Sequence, residues 1–424
     1  MGTNRPLIAL LSLTLAVPTG IAVLAPPVAA LDPTITVDEW ADELNADGDC
    51  SLREAIETIN TGVAVDACAV PAQPVIEIPG GLAALGSTLV ASETMTIRGT
   101  SGLPASLNCT FVVGNCIENV GAGSDLDLEN LWVSGASAHQ VHGALGAGHL
   151  HLRDVNVWGG VGGVVSQGGT IDLSHSTVWD TSEWGVFSLV GDVTIDHSTL
   201  GGHNEGAVYA DIADVAISSS AIYDNEGYGV FGQSAGIDIV NSTIARNGAD
   251  ATRTDSGTVS YRSSTIVENR RALNVAGSGE TRFSNTVVAQ SDLGNCDNPV
   301  VSQGYNVSDD DTCAFDQASD RSEIDPQLGA FVNTTLTASY TPLAGSPLID
   351  TGGDCPTVDQ LDAPRPTDGN GDGDARCDVG AVETPGPPSD ADPTDPGSDP
   401  QSDPTSPAPA GPATPVAARP TFTG

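Results

Sequence analysis

Ile237-Asp238-Ile239-Val240-Asn241-Ser242-Thr243-Ile244-Ala245-Arg246-Asn247 begins with two aliphatics around a carboxylate, turns on Asn-Ser, and resumes with a β-branched residue. Such alternation marks a half-buried strand, and small polar residues bounded by β-branched ones mark a corner between two short strands. The pattern recurs along the chain. The position of Ile239 is filled in turn by Leu128, Leu152, Leu173, Ile195, Ile217, Ile239, Tyr261 and Phe283, at gaps of 24, 21, 22, 22, 22, 22 and 22 residues. A polar column follows two places later (Asn130, Asp154, His175, His197, Ser219, Asn241, Ser263, Asn285), then a hydroxyl column (Ser176, Ser198, Ser220, Ser242, Ser264, Thr286). A second amide column runs through Asn204, Asn225, Asn247 and Asn269.

A unit of this length cannot bury its apolar face alone, so a fixed period means a stack of coils. Helical periodicity is absent. Three short strands per coil predict an all-β, right-handed parallel β-helix, since parallel crossovers are nearly always right-handed. Like residues at one corner can then hydrogen-bond up the stack. At a strand spacing of about 4.8 Å, the regular coils make a section roughly 35–40 Å long.

Formal charge is −41, and all 14 basic residues are Arg. That excess of carboxylates repels nucleic acid and anionic lipid, which excludes both as partners. Aromatics make up only 4% of residues, which suits a narrow lumen filled by stacked aliphatics. Residues 1–30 read as a secretory signal, with Arg5, an apolar run from Leu7 and Val28-Ala29-Ala30 as a small-residue cleavage site. No other stretch reaches the length of a membrane span. Eight cysteines in an exported chain point to disulfides. Connectivity is open from sequence. Pairing of neighbours is the economical expectation: Cys50 with Cys68, Cys109 with Cys116, Cys296 with Cys313, Cys355 with Cys377.

Ser51 followed by Glu54 forms a capping box ahead of an apolar stripe at Ala55, Ile56 and Ile59, so a short amphipathic helix is expected to cover the first coil. The surrounding Cys50-Ser51-Leu52-Arg53-Glu54-Ala55-Ile56 resembles the CSLREA domain at the start of exported bacterial β-helix proteins. Gly304-Tyr305-Asn306, Asp325-Pro326-Gln327-Leu328-Gly329, Gly345-Ser346-Pro347-Leu348-Ile349-Asp350 and Cys377-Asp378-Val379-Gly380-Ala381-Val382-Glu383 resemble the choice-of-anchor Q region of the same proteins. The resemblance implies export and a β-helix, and no established reaction. The expected organisation is a signal (1–30), an N-terminal cap (31–70), the β-helix (71–290), an anchor-Q-like region (291–383) and an extended tail (384–424). Pro, Ser, Thr, Ala and Asp dominate that tail, which cannot form a core and suits a spacer across a cell wall.

Four constellations could carry chemistry. Asp368, Asn370, Asp372 and Asp374 alternate with Gly as in the opening of a calcium loop, with Asp378 as a further oxygen; the closing Glu is missing, since the twelfth position is Val379. Asn45, Asp47 and Asp49 give a weaker version. Asp127, His151 and Asp172 fall on consecutive coils in one outward column, with Glu129, Arg153, Ser174 and Asp196 in the next. Carboxylates beside Arg are what polysaccharide lyases and glycoside hydrolases of this fold use to hold sugar acids and move protons; ordinary cross-strand charge pairing on a solvated sheet is the preferred account. All seven histidines lie between His139 and His203, and His175 stacks under His197, a place for a transition metal or for plain corner hydrogen bonding. Trp132, Trp158, Trp179, Trp184, Tyr223 and Tyr228 could stack on sugar rings or pack at corners. The leading expectation is a monomeric, secreted or cell-surface, non-catalytic scaffold for a polysaccharide or cell-wall glycan, with calcium as the one candidate cofactor. The competing expectation is a lyase or hydrolase using Asp127, His151, Arg153 and Asp172.

Overall fold

The computed structural model describes residues 34–386 apart from 101, 103, 277, 278, 335 and 336. The expected signal segment and all but the first residues of the tail lie outside the described residues. Each regular coil gives one strand to each of three parallel sheets. The first sheet has 12 strands, from Ile35–Thr36 to Val301–Ser302, and the second 9, from Leu89–Ala91 to Arg271–Val275; the third has 11, from Gly81–Ala84 to Val307–Ser308. Val75–Ile78 and Met95–Gly99 are early strands of the first sheet, as their alternation predicts.

Coils stack in register. Leu128, Leu152, Leu173, Ile195, Ile217, Ile239, Tyr261 and Phe283 are successive partners, and none is more than 1% exposed. Each such side chain contributes about 1.5–3 kcal/mol by leaving water. Near the far end, Tyr261 and Phe283 stack at 4.6 Å and Phe315 closes on Phe283 edge-on.

The polar column has a backbone cause. All eight residues from Asn130 to Asn285 have φ between 45° and 55°. That left-handed conformation costs an L-residue about 1–2 kcal/mol, and Asn and Asp bear it best. The regular inter-coil ladder at this corner belongs to the hydroxyl column, with one bond in the polar column, from Asn285 Nδ2 to Ser263 Oγ at 3.2 Å. Backbone N–H groups of Val155, Ser176, Ser198, Ser220 and Ser242 donate to the Oγ atoms of Ser176, Ser198, Ser220, Ser242 and Ser264 at 3.0–3.3 Å. A second left-handed corner follows the third sheet, at Asp180, Asp224, Arg246, Glu268 and Gln290, with φ of 55–64°. Its mixed side chains hide it from the sequence.

The amide column holds, with one correction. Asn225 Nδ2 donates to Asn247 Oδ1 at 2.7 Å, and Asn247 Nδ2 to Asn269 Oδ1 at 2.8 Å. Asn204, expected as the first member, is exposed. His203 takes that rung: its N–H donates to Asn225 Oδ1 and its Nδ1 accepts from the Thr181 N–H. His203 stands 22 residues before Asn225 and Asn204 only 21, and only a side chain aimed into the lumen can join the ladder.

Helix α1 (Leu52–Thr61) covers the first coil, with both halves of the Ser51–Glu54 capping box formed and Gly62 left-handed at its end. Glu54 is fully buried because its other oxygen caps the Asn45 N–H. Arg53 pairs with Asp42 at 2.7 Å and donates to the Ser87 and Thr88 carbonyls, which ties the cap to the coils. All four neighbouring cysteine pairs are bonded, with Cα separations of 4.8–6.4 Å.

Beyond the last coil the chain turns back and runs along the outside of the third sheet. Tyr340, Leu348 and Val379 form a second core with Ala221, Tyr223, Ala245, Val267 and Val287. Gln360 donates to the Ser220 carbonyl, Asn241 to the Val358 carbonyl, and the Ala381 N–H to Thr265. This strap has one short antiparallel pair, Val332–Asn333 with Ala338–Ser339. Buried carboxylates replace the missing strand ladders. Asp359 accepts from the N–H groups of Leu361, Ala363 and Glu383; Asp378 from Asp350 and Thr384; Glu383 from Thr367 and Asp378. Arg365 is the cation among them, with Nε 3.0 Å from Glu383 and both side chains at most 1% exposed. Burial lowers the pKa of Arg365 and raises those of Asp378 and Glu383.

Candidate functional site

Outward residues of the first sheet gather the predicted charged set. Asp127, His151 and Asp172 are direct partners on consecutive strands, as are Glu129, Arg153 and Ser174. They line a shallow depression of about 380 Å³. His151 Nδ1 lies 3.0 Å from Asp172, with both side chains about two-fifths exposed. Arg153 lies 3.9 Å from Glu129. The row continues where the sequence reading did not follow it. Arg98 bridges Glu77 at 2.6 Å and Glu129 at 3.9 Å, which gives Glu77–Arg98–Glu129–Arg153 along four strands. Irregular coil lengths before Leu126 hid Glu77 and Arg98; the alternating signs were the available signal. Arg98 and Arg153 each already have a carboxylate within 4 Å.

The other predicted ligands are placed as follows. Asp368 accepts from the N–H groups of Gly371, Asp372 and Gly373, and Asn370 and Asp372 each cap a following N–H. Asp378 points elsewhere, to the Asp350 and Thr384 amides. Among the described residues, sets of three carboxylates with oxygens within 4.8 Å of one another occur at Glu43/Asp47/Asp49 and at Asp49/Glu54/Asp66. Asn45 turns its amide nitrogen to Glu43, so it adds no oxygen there. Burial, then Asp47, pushes the Asp49 carboxyl up to about 6.

Histidines divide by environment. His175 and His197 stack at 5.0 Å, and the two ring nitrogens of His197 engage Asp196 at 2.8 Å and Asp362 of the strap at 3.1 Å. Burial opposes protonation of His197, but those two carboxylates prevail and raise its pKa. His142 pairs with Glu118 at 3.0 Å. His203 is sealed in the lumen, its pKa lowered to about 3 by burial, and its Nε2 has no partner.

The tryptophans also divide. Trp132 and Trp158 stand exposed on the third sheet, whereas Trp179 and Tyr223 pack beneath the strap. Trp184 and Tyr228 belong to a larger group on the outer face of the second sheet. There Phe187, Tyr209, Phe231 and Arg253 are partners on four consecutive strands. Phe187 stacks on Tyr209 at 4.8 Å, and Tyr209 meets Phe231 edge-on at 5.5 Å. Trp184 lies nearly parallel to Tyr228, with centroids 6.4 Å apart. A Cβ on Gly206 would meet the Trp184 ring at 2.5 Å, so glycine lets the indole lie across that coil. Arg253 sits 5.1 Å over Phe231, donates to the Tyr228 hydroxyl, and pairs with Asp255 at 3.0 Å. All five rings are half-buried. The sequence reading found Trp184 and Tyr228 but missed Phe187, Tyr209, Phe231 and Arg253; their spacing of 22 residues was the missed signal.

Residues 143–288 match the family described as the right handed beta helix region. The fold of pectate lyase Pel9A aligns with 83% of this chain and 97% of its own, with TM-score 0.52 and 13% identity. The A-module of mannuronan C-5 epimerase AlgE6 from Azotobacter vinelandii aligns with 67% of this chain and 95% of its own, with TM-score 0.30 and 12% identity. Tailspike protein 2 of Escherichia coli O157:H7 bacteriophage CAB120 covers 49% of this chain and 38% of its own, with TM-score 0.33 and 11% identity. Comparison with curated proteins gave no match. The likeness to Pel9A is one of fold: the solenoid is a right-handed parallel β-helix.

Proposed function

We propose that this protein is an exported β-helix that binds a polysaccharide or cell-wall glycan without cleaving it. The observation that carries the reading is the aromatic row on the second sheet. A half-buried aromatic strip along successive strands suits the apolar faces of pyranose rings, and Tyr hydroxyls, Gln233 and Arg253 supply polar contacts beside it. Four disulfides support an oxidising compartment. Among the described residues, no helix is long and apolar enough to cross a membrane. In this reading the CSLREA-type segment is the N-terminal cap, the choice-of-anchor Q-like region is the strap, and the tail is a spacer at the cell surface.

A lyase or hydrolase at Asp127, His151, Arg153 and Asp172 is the second reading, favoured by their shared depression and the 3.0 Å His151–Asp172 contact. A panel of acidic and neutral polysaccharides, assayed for binding, new reducing ends and unsaturated products, separates the two. Binding without turnover is expected. Turnover that disappears in Arg153→Ala would replace the first reading by the second. Calcium is a separate proposal for Asp368, Asn370, Asp372 and Asp374, without Asp378, supported by the Gly373 N–H to Asp368 carboxylate link that draws the loop round. Calorimetric titration with calcium chloride should release or absorb heat and raise the unfolding temperature; neither happening ends that proposal.

A further inference from the structure

We infer that the aromatic row takes a neutral, linear oligosaccharide lying parallel to the solenoid axis, along the column of Phe187, Tyr209 and Phe231. The inference rests on the glycan reading above and deepens it. Direction follows from register. The three rings are partners on adjacent strands, so their column runs along the axis at steps of about 4.8 Å. Trp184 and Tyr228 form a parallel second rail, two coils apart with Gly206 between them. Length follows from the ends of the column. Before Phe187 stands Val165, a buried aliphatic, and after Phe231 comes Arg253. Three ring steps are therefore bounded on both sides.

Charge fixes the ligand class. Arg253 is the cation of the row, and Asp255 holds it at 3.0 Å. Exposed Glu183, Glu205 and Glu226 stand in the turns that enter the strands Trp184–Ser188, Gly206–Ala210 and Tyr228–Gly232, and Asp211 directly follows the second of these. A polyuronide laid along the rings would bring carboxylates to a carboxylate-rimmed floor, and like charges repel. Hydroxyls of a neutral sugar can instead donate to those carboxylates in charge-assisted hydrogen bonds while ring C–H faces rest on the aromatics. The chain's overall charge of −41 acts in the same direction.

The test is calorimetric titration of the full chain with neutral β-linked gluco- and manno-oligosaccharides of increasing length, and with oligogalacturonides of matched length. The expected result is neutral binding that strengthens up to the trisaccharide and then levels off. Tyr209→Ala should weaken it at least about tenfold, the loss typical of truncating a central interface aromatic, with the thermal transition unchanged. Glu205→Gln should weaken the neutral ligand and admit the acidic one. Tighter binding of an oligogalacturonide than of its neutral counterpart would overturn the inference and leave the glycan reading standing. So would neutral binding indifferent to Tyr209→Ala, because the glycan would then sit elsewhere. Failure of every sugar to bind would remove both.

Discussion

Replacing Asn247 by Ala tests the amide ladder at its middle rung. Its Oδ1 accepts from the backbone N–H of Asn225 at 3.3 Å and from Asn225 Nδ2 at 2.7 Å, all in the lumen. The variant strands both donors where water does not reach. An orphaned buried donor costs about 1–3 kcal/mol, so the loss should be about 2–6 kcal/mol. The Asn247 backbone N–H keeps its bond to Asn269 Oδ1, so the next rung survives. Urea unfolding followed by circular dichroism measures the loss, and amide exchange locates it, with the Asn225 N–H exchanging fastest relative to the native chain. Asn204→Ala is the control: exposed and off the ladder, it should stay within about 0.5 kcal/mol of the parent. A cost for Asn247→Ala below about 1 kcal/mol, or equal to that of Asn204→Ala, would refute the assignment of stabilising bonds to this column.

Three further outcomes follow from polar groups of the lumen and the strap. His203→Asn should stabilise the coil, since an amide can complete the rung and the partnerless Nε2 disappears; because the His203 pKa falls from 6.5 to about 3, the native chain loses stability as pH drops through that interval, and the variant should lack this loss in thermal melts. His197 works in the opposite direction: with its pKa raised, its link to Asp362 is fully present below 6.5 and lost as pH rises through the folded value, so Asp362→Asn should lower strap protection against proteolysis at pH 5.5 and little at pH 8.5. Arg365→Met should destabilise the strap by about 3–5 kcal/mol by removing the cation from buried carboxylates; mild acid should partly restore it, because Asp378 and Glu383 then protonate more readily, and full stability at pH 8 in urea titration would sink the claim.

What the sequence disclosed was whatever repeats. Period, strand phase and corner residues come from local chemistry copied coil after coil, so the solenoid, its register and the Asp127–His151–Asp172 column were all readable. Asn204 misled because a ladder is defined by which side chain enters the lumen, and the position in register with Asn225 is His203, one residue earlier. Phe187, Tyr209 and Phe231 escaped notice for a related reason: each sits within a strand, four residues beyond the turn residues Glu183, Glu205 and Gly227, away from the Gly-rich corner. The path of the strap was not legible in the sequence. Its contacts join residues more than a hundred positions apart, as Gln360 to Ser220 does, and its carboxylates bond to backbone amides, a partnership that leaves no complementary residue to find.

A stack of coils is by nature a zipper, free to open from its last tooth. The strap alters that mechanics. It is rooted beyond the final coil and bonded along the flank as far back as His197, so peeling any one of those coils strains a splint that spans its neighbours. A rod built this way transmits a pull along its length as a single stiff body, and when it yields it should yield as a block.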